Sequence, residues 1–214
     1  MNRLAISLVV AGLLVLMPRV VWGQPPDPTA SDGRGNTAGG SNVLANLTTG
    51  DANTGFGINA LRADSTGSNN TAVGGVALTF NTTGAGNSAL GEGALFGNTT
   101  GTFNTGVGIS ALLENDSGSS NTAVGYASLA GDTTGGNNTA IGVSALNFNT
   151  PGFDNTAAGY GALFSNTTAT GNTATGHAAL YHNTGDGNTA TGSDALFSNS
   201  SGHQHHHGSL LAAE

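Results

Sequence analysis

Asn70-Thr71-Ala72-Val73-Gly74-Gly75-Val76-Ala77-Leu78-Thr79-Phe80-Asn81-Thr82-Thr83-Gly84-Ala85-Gly86 decides the fold, because the chain begins the same phrase again at Asn87. Its opening, Asn-Thr-Ala-x-Gly or a close variant, starts at Asn36, Asn53, Asn70, Asn87, Asn104, Asn121, Asn138, Asn155, Asn172 and Asn188. The first eight steps are 17 residues and the last is 16, because Asn183-Thr184-Gly185 lacks one Thr. A register held over ten copies is the mark of a stacked repeat architecture. Numbered from that Asn, the consensus is N-T-A-x-G-x-x-A-L-x-x-N-T-T-G-x-x over 17 columns.

Helix is disfavoured, since Gly, Asn and Thr are poor helix formers and every copy carries several. The Asn-Thr-Ala-x-Gly segment suits a short strand, and Asn-Thr-Thr-Gly has turn chemistry. A unit of this size cannot bury a core alone, but stacked units can, hydrogen-bonded to one another as in a parallel sheet. The expected fold is all-β: a parallel β-solenoid with ten coils of 17 residues over 36–204. At about 4.8 Å per layer this makes a rod of roughly 48 Å.

The columns assign faces. Column three is Ala or Gly throughout, from Ala38 to Ala190, and column five is Gly from Gly40 to Gly192. Strand alternation puts columns three and five on one face, nearly free of side chains, and column four on the other. Column four reads Phe56, Val73, Leu90, Val107, Val124 and Ile141, then fades into Ala158, Thr175 and Thr191. Column nine is Leu in every copy: Leu44, Leu61, Leu78, Leu95, Leu112, Leu129, Leu146, Leu163, Leu180 and Leu196. The Leu column is expected to fill the coil. The column-four stripe is either an interface between chains along the rod or part of the interior of a slightly wider coil.

Composition removes whole classes of function. Only 7% of the residues are charged, against roughly 25% in an average protein. Lys is absent, the only basic residues are Arg3, Arg19, Arg34 and Arg62, and the formal charge is −8. Neither a nucleic-acid binder nor a polybasic membrane anchor is expected, since both need a basic surface. With no Cys there is no disulfide framework, thiolate metal site or Cys nucleophile. Gly is 36 of 214 and Pro only 5, which excludes collagen.

The N-terminus reads as an address. Met1-Asn2-Arg3 precedes an apolar run from Leu4 to Met17, and Val21-Trp22-Gly23 offers a cleavage site before Gln24. Residues 1–23 are therefore expected to be a secretory signal peptide. Residues 24–35 read as a disordered leader and 205–214 as a flexible, His-containing tail. No integral membrane anchor is expected. Removing 1–23 takes away Arg3 and Arg19 and leaves a charge of −10.

Ala123-Val124-Gly125 and Ala140-Ile141-Gly142, each followed by a small residue and the column-nine Leu, give the chain a family likeness. Over 36–204 it resembles the head repeats of YadA-type trimeric autotransporter adhesins. The resemblance implies a left-handed parallel β-roll, a homotrimer packed through column four, and attachment to a host, matrix or cell-surface ligand. The period is longer than in those heads, and no neck, heptad stalk or anchor strands follow Gly208. The expectation is a secreted head-only protein, a subunit held by a partner, or a piece of a longer chain.

Chemistry is sparse. The acidic residues Asp51, Asp64, Glu92, Glu114, Asp116, Asp132, Asp154, Asp186 and Asp194 fall at scattered columns and read as solvated surface. No Gly-x-Ser-x-Gly elbow comes with a matching His and acid, and a phosphate loop would need a Lys. No enzyme activity, catalytic residue, cofactor or metal site is expected. His203, His205, His206 and His207 form a cluster of the kind that binds Zn²⁺, Ni²⁺ or Cu²⁺, but a solvated tail is the simpler reading. Phe80, Phe96, Phe103, Phe148, Phe153, Phe164, Tyr181 and Phe197 are expected to pack at the corners. The expected function is a structural and adhesive one, with many weak contacts summed by avidity. The alternative is an ice-binding solenoid. Thr fills column two in all copies but that of Ser88 and recurs in columns thirteen and fourteen, and such ladders can order water.

Overall fold

The computed structural model describes residues 33–208. The expected signal peptide, leader residues 24–32 and tail residues 209–214 lie outside the described residues. The chain is a parallel β-solenoid without helix among those described. Columns two to four of each copy form one short strand. In chain order these are β1 (Thr37–Gly39), β2 (Thr54–Phe56), β3 (Thr71–Val73), β4 (Ser88–Leu90), β5 (Thr105–Val107), β6 (Thr122–Val124), β7 (Thr139–Ile141), β8 (Thr156–Ala158) and β9 (Thr173–Thr175). The same columns give β11 (Thr189–Thr191) and β13 (His205–His207), while columns eleven and twelve of the last two copies add β10 (His182–Asn183) and β12 (Ser198–Asn199). One sheet runs β1 to β9, then β11 and β13, with every pairing parallel and column matched to column, as in Thr122↔Thr139 and Val124↔Ile141. β10 and β12 form a separate small ladder beside it.

The core is narrow and repeats coil by coil. Column three points inward: Ala72, Ala89, Ala123, Ala140, Ala157, Ala174 and Ala190 are fully buried. Column eight (Ala60, Ala77, Ala94, Ala111) and the Leu column lie beside it, Leu44 through Leu180 without exposure and Leu196 partly buried at the C-terminal end. Small residues on two sides leave room for one Leu per layer. The expected pairing of columns three and five on one face does not occur. The strand ends at column four, and the column-five Gly, with φ of +131° at Gly125, turns the chain and stays half-exposed.

Two features of the backbone close so tight a coil. All ten column-nine Leu residues have positive φ, from +47° to +54°. An L-residue adopts that conformation at about 1–2 kcal/mol. Hydrogen bonds hold it in place. The Leu129 N–H donates to Ala145 O of the next coil at 2.9 Å, as the Leu112 N–H does to Ser128 O at 3.0 Å. The second feature is a pair of buried Asn ladders. In column one each backbone N–H donates to the side chain of the preceding coil, as in Asn121 N to Asn104 Oδ1 at 3.0 Å. Its own Nδ2 donates to the column-fifteen carbonyl, as in Asn104 to Gly118 O at 2.7 Å. In column twelve the amides donate to one another, Asn98 to Asn81 at 2.8 Å and Asn115 to Asn98 at 2.7 Å. A buried polar group is tolerated when its partners are supplied, and here each copy supplies the next.

The rod extends beyond the expected limits at both ends. Ala52 N–H donates to Arg34 O at 2.9 Å, so residues 34 and 35 already occupy the last columns of a preceding copy. At the other end His205–His207 are a strand, not a flexible tail, paired with β11 as Ala190↔His206. Gln204 stands in column one, with its N–H on Asn188 Oδ1 at 2.8 Å, and Gly208 supplies the column-five turn with φ of +136°. Parallel pairing is made by backbone groups, so His can take the place of Thr, Ala and Val without ending the stack.

Candidate functional site on the outer face

Column four faces outward. Phe56 is 45% exposed, Val73 42%, Leu90 43%, Val124 37% and Ile141 49%, with Val107 half-buried among them. These six residues therefore form one straight stripe over β2 to β7 and are not part of a wider interior. At the N-terminal end the Phe56 ring lies over Gly39, whose missing side chain makes room for it. The stripe is wider than column four alone. After the column-five turn, column six also emerges on the surface, carrying Ile58, Ile109, Tyr126, Val143 and Tyr160, each 42% exposed or more. Sequence alternation missed this second row because the Gly turn breaks strand geometry. The clue was the recurrence of Ile, Val and Tyr directly after that turn. From coil to coil the stripe thus presents two apolar rows, bordered by the half-buried Thr row of column two.

The remaining candidate groups are dispersed. Column-thirteen hydroxyls turn back onto the rod: Thr48, Ser65 and Thr82 each donate to the column-thirteen carbonyl of the next coil. Six of the eight expected corner aromatics pack on one another, while Phe103 and Phe153 stand apart and exposed. Phe164, Tyr181 and Phe197 stack with ring centroids 4.8 and 5.1 Å apart, and Phe80 meets Phe96 edge to face. His177 lies 3.7 Å from Asp194 at the surface. Among the described residues, no group of three or more His, Asp or Glu is placed to hold a metal ion. Nor is any helix there long and apolar enough to cross a membrane.

Asp64 and Asp132 are not solvated surface. Both stand in the column-twelve Asn ladder and are fully buried. Asp132 Oδ1 accepts from the Gly135 N–H at 2.9 Å and Oδ2 from Asn121 Nδ2 at 3.2 Å. Burial raises its pKa from 3.8 to about 7, against the lowering effect of the Gly135 bond. Burial likewise raises Asp64 to about 6, opposed by hydrogen bonds from Gly67, Asn70, Asn81 and Ser65, and its Oδ2 has no hydrogen-bond partner. Their place in a column that is otherwise Asn apart from Leu47 was the sequence sign of burial. Comparison with protein-family models, curated proteins and solved structures returned no match to this chain.

Proposed function

We propose that this chain is a secreted structural and adhesive rod that self-associates as a homotrimer through its apolar outer face. The observation that carries the reading is the stripe of Phe56, Val73, Leu90, Val107, Val124 and Ile141, widened by column six and running along most of the rod. Contiguous exposed apolar surface of this extent marks an interaction site, and each such side chain gains about 1.5–3 kcal/mol on full burial. A stripe carried in register from strand to strand can face the same stripe on a second and third copy. The resemblance to trimeric adhesin heads points the same way, and residues 1–23 have the make-up of an export signal. Adhesion would follow from repetition: identical outer loops on three rods, each contact weak, summed by avidity onto a host, matrix or cell-surface ligand.

The test is the absolute mass of residues 24–214 by light scattering after size exclusion. A three-chain mass is expected. Ile141→Asp should lower it to one chain while the far-ultraviolet circular dichroism stays β-type. A single-chain mass for the wild type, or a trimer that survives Ile141→Asp, overturns the reading.

One observation favours ice binding as the second reading. Thr173 and Thr175 stand outward in β9, and Thr189 and Thr191 do so directly beside them in β11, a two-by-two hydroxyl array in register. That reading requires a monomer with thermal hysteresis or inhibition of ice recrystallisation. A monomer without either leaves it untenable.

A further inference from the structure

We propose that His205 and His207 chelate one divalent transition-metal ion at the C-terminal end of the rod. As a solvated tail, the cluster His203, His205, His206 and His207 would make all its imidazoles equivalent. The strand makes them unequal. His205 and His207 are exposed and His206 between them is half-buried, the alternation of a β-strand. The inward His206 is paired with Ala190 over the coil core, and its Nε2 is buried without a hydrogen-bond partner. The two outward residues are side by side, about 6.6 Å apart along the strand. Imidazoles at that spacing on one face can lean together and bring two nitrogens onto one ion, and imidazole suits Zn²⁺, Cu²⁺ and Ni²⁺.

The surroundings favour a cation. Directly beside the pair in the sheet are Thr189 and Thr191, small side chains that leave the imidazoles room to turn. The backbone that carries them is held to β11 at both ends of the strand, with the Thr189 N–H on Gln204 O at 2.8 Å and the Gly208 N–H on Thr191 O at 2.7 Å. Ordering the pair in advance reduces what binding must spend in conformational entropy. The chain has no Lys, its described Arg residues, Arg34 and Arg62, belong to the N-terminal coils, and the formal charge is −8. Two protein nitrogens leave the remaining coordination positions to water. The proposal concerns binding and implies no reaction.

The experiment titrates Zn²⁺ calorimetrically into chelator-treated full chain and compares four variants. His205→Thr and His207→Thr restore the residue type of the neighbouring coil, and His206→Ala restores that of column three, so each suits the repeat. His203→Ala tests the nearest other imidazole. The wild type should bind one ion per chain with sub-millimolar affinity. Because even outer-shell changes at metal sites cost 10–100-fold, loss of a direct ligand should weaken binding by about tenfold or more in His205→Thr and in His207→Thr. His206→Ala and His203→Ala should bind like the wild type. Hydrogen exchange of the metal-free variants shows whether β13 is still formed, and added Zn²⁺ should slow exchange of its amides in the wild type. Absence of saturable binding overturns the proposal. So does undiminished binding in His205→Thr or His207→Thr, or equal weakening in His206→Ala or His203→Ala, the behaviour of an unstructured His tract.

Discussion

Gly125→Ala is expected to lower the melting temperature by about 10 °C or more and to open the rod in its middle. The column-five residue sits at φ of +131°, in a region that only Gly enters freely. A Cβ there would lie 2.6 Å from Gly142 O and 2.7 Å from its carbonyl carbon. That neighbour is backbone and cannot swing aside. Gly125 N–H is held by Val107 O and Gly142 N–H by Val124 O, each at 2.8 Å, so relief of the clash must break the stack. The backbone strain alone is about 1–3 kcal/mol, and the clash adds to it. Stability in a solenoid is a sum over coils and their nearest-neighbour contacts. The damage should therefore be local, with limited proteolysis cutting between residues 120 and 145 while the coils on either side stay folded. Gly75→Ala is the control. Its φ is unexceptional, and a Cβ there would meet nothing closer than Ile58 Cγ2 at 3.7 Å. Equal melting temperatures for the two variants would refute the argument.

Asp132→Asn is expected to stabilise the rod at pH 8 by about 2–4 kcal/mol and to do little at pH 4. Burial raises the Asp132 pKa from 3.8 to about 7. A carboxyl group whose pKa is raised on folding binds its proton more tightly in the folded state. Its contribution is thus fully present below the unfolded value and is lost as pH rises toward 7. Asp64, raised to about 6, acts in the same direction. The wild type should accordingly be weaker at pH 8 than at pH 4 on account of these two groups. Asn at 132 removes the buried charge and can donate to Asn115 Oδ1, as Asn115 donates to Asn98. Asp64→Asn should gain less, because the preceding column-twelve residue is Leu47, which offers no acceptor. Urea unfolding at the two pH values measures both. A gain for Asp132→Asn of the same size at pH 4 and pH 8 would show that ionisation is not its cause.

The architecture was legible because periodicity survives any local ambiguity. Asn36 to Asn188 set the coil length, and the unbroken Leu column named the core. What sequence reading missed depends on partners one coil away. Asn81, Asn98 and Asn115 read as turn residues, since within a single copy they precede Thr-Thr-Gly or a near equivalent. Their burial makes sense only when the same amide in the next coil accepts or donates. The left-handed conformation at Leu112 or Leu129 was equally hidden, because Leu has no preference for it and adopts it under the demands of closure. Among the candidate surface residues, column four was visible by alternation. Column six was not, because alternation stops at the glycine. The histidine strand was obscured by its own composition, although Gly208 keeps the column-five place.

The Asn ladders have a consequence for how such a rod changes length. Each coil hands its neighbour the same set of bonds that it receives, so no coil is tied to a particular position in the series. Deleting or duplicating one whole copy rejoins equivalent amides in column one, where every copy has Asn, and leaves that ladder continuous. A change of one whole copy therefore yields a shorter or longer rod in one step, with no compensating substitution required in column one. The single-residue loss in the ninth copy shows the tolerance: Asn188 still places its N–H on Asn172 Oδ1 at 2.8 Å, across a loop one residue shorter. Reach is a quantity this lineage can adjust by counting.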